Sequence, residues 1–102
     1  MSTVEGVKDD KGKLLMSLIP HQVIFGLSEV LTFGANKYTP NGWKTVPDAE
    51  RRYKDALLRH IYSHEAGEDL DQESGLSHLK HALTNIAFLV YLEEEKNKDT
   101  HI

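Results

Sequence analysis

The pattern of the C-terminal third constrains the fold of this chain more than any other feature of the sequence. From His78 to Leu92, side chains recur at steps of three and four, the period of an α-helix, on two neighbouring sides. One side carries Leu79, Leu83, Ile86 and Val90, and the other carries His78, His81, Asn85, Phe88 and Leu92. A helix with this much apolar surface has to be covered by other helices. The pattern therefore predicts an all-α fold, in which Ser74 or Ser77 caps this helix.

Two earlier segments are predicted to supply the covering helices. The first runs over about residues 20–36, because Pro20 suits a first helical turn and apolar residues follow at helical spacing. The second begins after Asp48, a good N-cap residue, and ends near Gly67. One side of this second helix carries Tyr53, Leu57, His60, Ile61 and His64.

The length and composition indicate one small domain. The chain has 102 residues, no cysteine and a formal net charge of -4. We expect a single all-α domain over residues 1–102, with an ordered or semi-ordered N-terminal segment at 1–13 and a solvated tail at 93–102. Because a helical chain of this size has little core of its own, we expect a bundle of three main helices that is completed by oligomerisation. Disulfides and thiolate sites are excluded.

The charge and hydropathy pattern argue against two classes of partner. A net charge of -4 offers no basic surface for a nucleic acid polymer, whose binding depends on phosphate neutralisation. The longest strictly apolar run, "IAFLVYL", is too short to span a bilayer, and the charged N-terminus does not look like a signal peptide. We therefore expect neither a nucleic acid nor a membrane partner, and a cytoplasmic location.

Polar groups concentrate at one end of the predicted hairpin of the second and third helices. His60 and His64 lie one turn apart near the end of the second helix, and His78 and His81 near the start of the third. The connection between them carries Glu65, Glu68, Asp69, Asp71 and Glu73. Antiparallel packing would gather all these groups. Carboxylates suit Mg²⁺ or Mn²⁺, and imidazoles suit Mn²⁺ or another transition ion.

Other interpretations of these residues stay open. The acidic connection is also typical of a solvated loop that caps a helix. His78 and His81 equally suit a structural hydrogen-bond network without a metal. Trp43 suits either a lid over the edge of the core or, beside Tyr38, a surface on which a base stacks.

Several motifs occur along the chain in a specific order. They are "DKGK" at 10–13, "LIP" at 18–20, "VLTFGANKY" at 30–38, "NGW" at 41–43, "RH" at 59–60, "GEDLDQESGLSHLKHALTN" at 67–85 and "FL" at 88–89. From about Asp9 to Leu92, their order and spacing resemble those of phage and bacterial dATP/dGTP diphosphohydrolases. That family is grouped loosely with the MazG-like, all-α nucleoside triphosphate pyrophosphohydrolases.

The resemblance implies a reaction and an assembly. A purine deoxynucleoside triphosphate, dATP or dGTP, is hydrolysed to the monophosphate and pyrophosphate with a divalent cation, Mg²⁺ or Mn²⁺. The superfamily implies a helical homodimer or homotetramer, which acts in the host cytoplasm if the protein is phage-encoded. The rival hypothesis is a small, non-catalytic, phage-type helical protein that binds a host protein or a nucleotide.

The metal motif of the MazG-like proteins matches this sequence in part. They hold Mg²⁺ with an E-x-x-E pair on one helix and an E-x-x-D pair on the next. Glu65 and Glu68 match the first pair, whereas the second falls on His78 and His81. Imidazoles in these positions favour Mn²⁺ or another transition ion, unless Asp71 and Glu73 replace the missing pair.

Candidate site residues follow from the cluster and the resemblance together. The expected metal ligands are Glu65, Glu68, Asp71, Glu73, His78 and His81. The candidate catalytic residues are Glu65, Glu68 and Asp71, one of which would orient the attacking water. The cations expected to bind phosphate are Lys11, Lys13, Lys37 and Arg59. The side chains expected to bind the base are Tyr38, Trp43 and Asn85, and the supporting residues are His60 and His64.

Overall fold

The predicted all-α fold is confirmed by a computed structural model of the chain, which describes residues 6–100. Three α-helices, α1 (His21–Lys37), α2 (Ala49–Glu65) and α3 (His78–Thr100), follow one another, with single-turn 3₁₀-helices over Met16–Leu18 and Gly42–Thr45. Within residues 6–100 no strand forms, and the strand-like pairing is limited to one isolated antiparallel bridge between Leu70 and Ser77. None of the helices there has both the length and the apolar composition that crossing a membrane requires.

The starts of α2 and α3 lie where the sequence predicts them. Asp48 is the N-cap residue of α2, but its carboxylate accepts a hydrogen bond from Arg51 Nε at 2.7 Å instead of capping a backbone N–H. Ser77 is the residue that caps α3. Its Oγ accepts hydrogen bonds from the backbone N–H groups of Leu79 and Lys80, at 3.0 and 3.3 Å.

Gly67 ends α2 through a Schellman turn. Its φ of +94° is a conformation that a side chain would disfavour. The N–H of Gly67 donates to the His64 carbonyl and the N–H of Glu68 donates to the Ser63 carbonyl, both at 3.0 Å. The chain turns back here, so that Glu68 lies beside the first residue of α3.

Helices α2 and α3 pack as the predicted antiparallel hairpin. Near the connection, His60 contacts His78. Further along, the rings of Tyr53 and Phe88 pack with their centroids 4.7 Å apart. Later residues of α2 therefore contact earlier residues of α3, so the two helices run antiparallel. The hairpin thus brings part of the predicted polar cluster, His60, Asp71, His78 and His81, together at the end formed by residues 66–77.

Helix α1 packs against α3. Gly26 is buried there, and a Cβ at this position would lie 3.1 Å from Lys80 Cγ. The absent side chain leaves room for the aliphatic stem of Lys80, whose Nζ pairs with Glu29 at 3.0 Å. At the other end of α1, Lys37 reaches the connection between α2 and α3.

Much apolar surface remains exposed in the single chain. On the apolar side of α3, Leu79, Ile86 and Val90 are each about half exposed, whereas the neighbouring side buries His78 and Asn85. Further exposed apolar side chains precede or begin α1, namely Leu14, Leu15, Met16, Leu18, Ile24 and Phe25. The radius of gyration is 18.6 Å, against about 13 Å for a compact domain of this length. The three helices therefore leave the predicted apolar side of α3 only partly covered.

The end segments agree only in part with expectation. Residues 6–13 are exposed and lie outside the helices, as predicted for an N-terminal segment. Residues 93–98, predicted as a solvated tail, are largely exposed but continue α3 as helix. Positions 1–5 and 101–102 of the predicted single domain lie outside the described residues.

Candidate functional site

Three histidines from α2 and α3 meet at the loop end of the hairpin. The Nδ1 atoms of His60 and His78 are 2.8 Å apart. The ring of His60 also stacks on that of His81, with centroids 4.5 Å apart and planes inclined by 10°. His78 is buried and the other two are half-buried. Since His78 and His81 are one helical turn apart, both face the same position on α2.

Asp71 adds a carboxylate to this cluster. One of its oxygens, one ring nitrogen of His60 and one ring nitrogen of His78 all lie within 4.8 Å of one another. We call these three residues the His-Asp group. Two imidazoles and a carboxylate form a donor set that binds divalent transition ions. Of the predicted metal ligands, Asp71 and His78 belong to this group, and His60 joins them although the sequence indicated only a supporting role.

Ser74 connects Asp71 to His81. Its Oγ lies 2.9 Å from Asp71 Oδ2 and 2.7 Å from His81 Nε2, and it accepts a hydrogen bond from the Leu76 N–H at 3.1 Å. A hydroxyl has one proton to donate and two acceptor positions. The one proton and both acceptor positions are each used once if Ser74 Oγ–H donates to Asp71, while Ser74 Oγ accepts from the Leu76 N–H and from His81 Nε2–H. The network thus assigns the proton of neutral His81 to Nε2.

Burial and hydrogen bonding set the charges of the cluster. Burial lowers the pKa of His60, and the neighbouring His81 and His78 lower it further. Burial also lowers the pKa of His81, against the opposing effect of Asp71. For Asp71, burial acts to raise the pKa, but the hydrogen bonds from the Ser74 backbone N–H and hydroxyl outweigh it and lower the pKa overall. Near neutral pH, His60 and His81 are therefore neutral imidazoles and Asp71 is an ionised carboxylate, the forms of these groups that bind cations.

The glutamates predicted as metal ligands lie outside the His-Asp group. Glu68 Oε2 lies 3.2 Å from His78 Nε2, but the two are not aligned for hydrogen bonding. In the part of the chain that the structure describes, this buried Nε2 has no hydrogen-bond partner. Glu73 Oε2 forms an ion pair with Lys37 Nζ at 2.6 Å. Glu65 is the exposed last residue of α2.

A cavity of about 910 Å³ opens beside the cluster, a size typical of small-molecule sites. It is lined by the C-terminal half of α1, the segment 38–45 and several aromatic side chains of α2 and α3. Lys37, Glu73 and His81 contribute charged or polar groups to the same wall. The cavity therefore joins a largely aromatic region to the edge of the histidine cluster.

The predicted base-binding residues differ in their surroundings. Trp43 lines the cavity and is stacked on Phe88. Tyr38 also lines it but is 72% exposed, with Lys37 Nζ 5.0 Å from the centre of its ring. Asn85 is buried, its amide donates to the His81 carbonyl at 2.9 Å, and it is not part of the cavity wall.

The predicted phosphate-binding cations and the second supporting histidine are spread more widely. Lys37 reaches the cavity. Arg59 is exposed on α2 next to His60, and Lys11 and Lys13 are exposed in the N-terminal segment. His64 is half-buried in the last turn of α2.

Comparison with known proteins gives the family. Residues 3–101 match the model of a family described as "dATP/dGTP diphosphohydrolase, N-terminal". The chain belongs to this family. It is also 34% identical, over 87 residues, to a dATP/dGTP diphosphohydrolase of Salmonella phage PMBT28. The match covers 85% of the chain but 29% of the phage protein, so the chain spans less than a third of that relative's length. No solved structure matches it.

The local structure of the chain separates the E-x-x-E pair. Glu65 is the last residue of α2, and Glu68 follows the Schellman turn at Gly67. The two carboxylates therefore do not lie one above the other on a helical face, as two residues three positions apart in a helix would. Ser74, which joins two of the predicted ligands, received no role in the site from the sequence. The short Asp71-x-x-Ser74 spacing was the available signal, because Asp side chains commonly accept hydrogen bonds within such turns.

Proposed function

We propose that this domain binds a purine deoxynucleoside triphosphate, dATP or dGTP, and with a divalent cation hydrolyses it to the monophosphate and pyrophosphate. The observation that carries the proposal is the cavity, because it joins an aromatic region to a cluster of imidazoles and carboxylates. A base needs a ring on which to stack, and a triphosphate needs cations. The name of the phage relative supports this class of reaction.

Residues on the two sides of the cavity suit the two ends of such a substrate. Tyr38 presents an exposed ring for the base, with Trp43 and its aromatic neighbours as the wall behind it. Lys37 is the predicted cation closest to the cavity and would bind a phosphate oxygen in exchange for its partner Glu73. Arg59, Lys11 and Lys13 would have to approach from the exposed surface.

The polar residues fit a divalent cation, because imidazole nitrogens and an ionised carboxylate face one another. Such an ion, when bound, neutralises phosphoryl oxygens and acidifies a water molecule. Among the candidate catalytic residues, Glu68 is best suited to accept a proton from water, since its Oε2 lies 3.2 Å from His78 Nε2. Asp71 Oδ2 already accepts two hydrogen bonds from Ser74, and Glu65 is the exposed last residue of α2. His81 would hold Asp71 in place through Ser74.

We also propose that the domain assembles as a homodimer or homotetramer, in the cytoplasm where nucleoside triphosphates are available. The half-exposed apolar side of α3 supports this, because monomers rarely leave contiguous apolar patches in water. Light scattering on the purified chain tests it. Ile86→Glu should shift the measured mass to that of one chain, whereas the exposed-site control Lys96→Glu should leave it unchanged. A wild-type chain that is monomeric would contradict the proposal.

A second candidate function is nucleotide binding without turnover. The observation that favours it is the match to less than a third of the phage relative, since residues needed for hydrolysis in that protein can lie in its remaining length. In that case the cavity binds the nucleotide and the histidine cluster serves as a structural network.

A turnover panel separates the two functions. The purified chain is incubated with each deoxy- and ribonucleoside triphosphate in Mg²⁺ or Mn²⁺, and the mono-, di- and triphosphate products are separated. Monophosphate and pyrophosphate from a purine deoxynucleotide, lost in Glu68→Gln and retained in the exposed-site control Glu94→Gln, would support hydrolysis. Nucleotide binding without products would favour the second function. If the chain shows no binding and no products, both functions are excluded.

A further inference from the structure

The His-Asp group has the spacing of a metal site. The Nδ1 atoms of His60 and His78 are 2.8 Å apart, and both side chains come from α-helices. Ligands about 2.0 to 2.1 Å from one transition ion lie about 2.8 to 3.0 Å from each other in octahedral coordination and about 3.3 to 3.4 Å in tetrahedral coordination. At 2.8 Å the two nitrogens already have about the octahedral separation, and they need to move apart by about 0.6 Å at most to share a tetrahedral ion.

The backbone of the third ligand is fixed independently of any ion. The N–H of Asp71 donates to the Leu76 carbonyl, and the Asp71 carbonyl accepts from the Gly75 N–H, both at 2.8 Å. Ser74 then holds one carboxylate oxygen through its N–H and its hydroxyl, each at 2.9 Å. A ligand whose rotamer is fixed by its neighbours loses little freedom when it binds a metal.

His78 supplies a separate observation. It is the first residue of α3, only 4% exposed, and its Nε2 has no hydrogen-bond partner within the described residues although Glu68 Oε2 is 3.2 Å away. An unsatisfied buried polar atom is costly. An ion on Nδ1 would fix the proton on Nε2, so that a small movement of Glu68 completes a carboxylate–histidine–metal arrangement. In this arrangement Glu68 positions a ligand and is not itself a ligand.

We propose that His60, Asp71 and His78 form a transition-metal site that takes Mn²⁺, Co²⁺ or Zn²⁺ in preference to Mg²⁺. Two of the three donors are imidazole nitrogens, and Mg²⁺ prefers oxygen donors in a strict octahedron. The oxygen-rich set that would suit Mg²⁺ is not assembled, because Glu73 is paired with Lys37 and Glu65 lies outside the group. The inference deepens the proposed function and rests on it for the role of the ion.

Metal binding alone tests the site. Chelator-treated protein is titrated with Co²⁺, with visible absorption as the readout, and with Mn²⁺, Zn²⁺ and Mg²⁺ by calorimetry. We expect one ion per chain, with Mg²⁺ bound about a hundredfold more weakly than the other ions. His60→Gln and His78→Gln should each abolish the Co²⁺ absorption, whereas His21→Gln, at an exposed position on α1, should leave it unchanged. Equal affinity for Mg²⁺, or Co²⁺ binding that survives His60→Gln, would overturn the proposal.

A measurement on the wild-type protein tests the site even if the histidine variants fail to fold. In histidine-ring ¹H–¹⁵N correlation spectra, Zn²⁺ should move the Nδ1 signals of two histidines and leave that of His21 in place. If Zn²⁺ moves the signal of His81, the ion binds the ligands predicted from the sequence, which include His78 and His81, and not the His-Asp group. Ion binding without turnover would reject the proposed hydrolysis but keep the site. Turnover with Mg²⁺ and no Co²⁺ binding would reject the site but keep the function.

Discussion

Trp43 lies flat against Phe88, with ring centroids 4.4 Å apart and ring planes inclined by 20°. Tyr91 meets the same indole edge-on at 4.9 Å, and the Tyr53 hydroxyl donates to the Trp43 carbonyl at 2.6 Å. These contacts attach the segment Gly42–Thr45 to both helices of the hairpin and form one wall of the cavity. The indole therefore contributes to packing whether or not a ligand is present.

Trp43→Ala should lower the free energy of unfolding by about 2 kcal/mol, less than the loss of about 3 to 5 kcal/mol at fully buried aromatic positions because Trp43 is half-buried. Trp43→Phe retains a ring to stack on Phe88 and should lose less. Urea unfolding followed by circular dichroism measures both, since the chain has no other tryptophan to report by fluorescence. Unchanged stability in Trp43→Ala would show that the stacked pair adds nothing to the fold.

Tyr38→Ala should weaken the binding of dATP or dGTP about tenfold, in the range of about 1 to 3 kcal/mol found for stacking between a base and an aromatic side chain. Its melting temperature should stay near that of the wild type, because the ring is 72% exposed. Calorimetry with each nucleotide measures the effect, and Tyr38→Phe, which keeps the ring, is the matched control. If Trp43→Phe and not Tyr38→Ala weakens binding, the base stacks on the indole.

The part of the fold that could be predicted is the part that depends on local periodicity. Helical spacing and capping residues identified α1, α2 and α3, because both act within a few positions of the chain. The arrangement of the site residues depends in addition on how the helices pack against one another. The contact between His60 and His78 requires the antiparallel register, which depends on the turn at Gly67 and on the path of residues 66–77. Spacing alone does not specify these features, so His60 received only a supporting role.

The orientation of α3 could not be read from the sequence for a similar reason. Its two sides have the same helical period, and both were expected to be covered. In the chain, the side with His78 and His81 faces the hairpin because their partners, His60 and Ser74, lie there, and Asn85 is buried on the same side. The side that carries Ile86 and Val90 is left half-exposed. Which of two equivalent sides is covered depends on tertiary contacts, not on propensity.

Ser74→Ala should lower the free energy of unfolding by about 1 to 3 kcal/mol, because it leaves His81 Nε2–H and the Leu76 N–H without their acceptor. It should also release Asp71 from the hydroxyl that lowers its pKa. Denaturant unfolding in the presence of a chelator measures the loss. Ser28→Ala, at an exposed position of α1, is the matched control and should change little. Equal stability of both variants would contradict the assigned network.

Acidification should destabilise the chelated protein. The pKa values of His60 and His81 are lowered in the folded chain from an ordinary value of 6.5. Below that value the unfolded chain binds more protons than the folded chain, so the free energy of unfolding falls as the pH drops towards the lowered pKa values. Above it both histidines are neutral in both states and contribute no slope. Asp71, whose pKa is also lowered, stays ionised throughout this range.

Melting temperatures between pH 7.5 and 5 test this prediction. His60→Gln should flatten the dependence, whereas the exposed-site control His21→Gln should retain it. Stability that is constant or rises on acidification would contradict the buried, neutral state of these imidazoles.

The ion pair of Lys37 with Glu73 yields the prediction that separates two roles for Glu73. The 2.6 Å contact raises the pKa of Lys37 and neutralises the predicted phosphate-binding cation closest to the cavity. If Lys37 binds phosphate, Glu73→Gln removes a competing anion and should tighten triphosphate binding several-fold without any metal, while Lys37→Gln should weaken it. If Glu73 is instead a metal ligand, Glu73→Gln should weaken binding, and only when the metal is present. Calorimetry with and without Mn²⁺, on both variants and on the exposed-site control Glu94→Gln, distinguishes the two because the sign of the change differs between them.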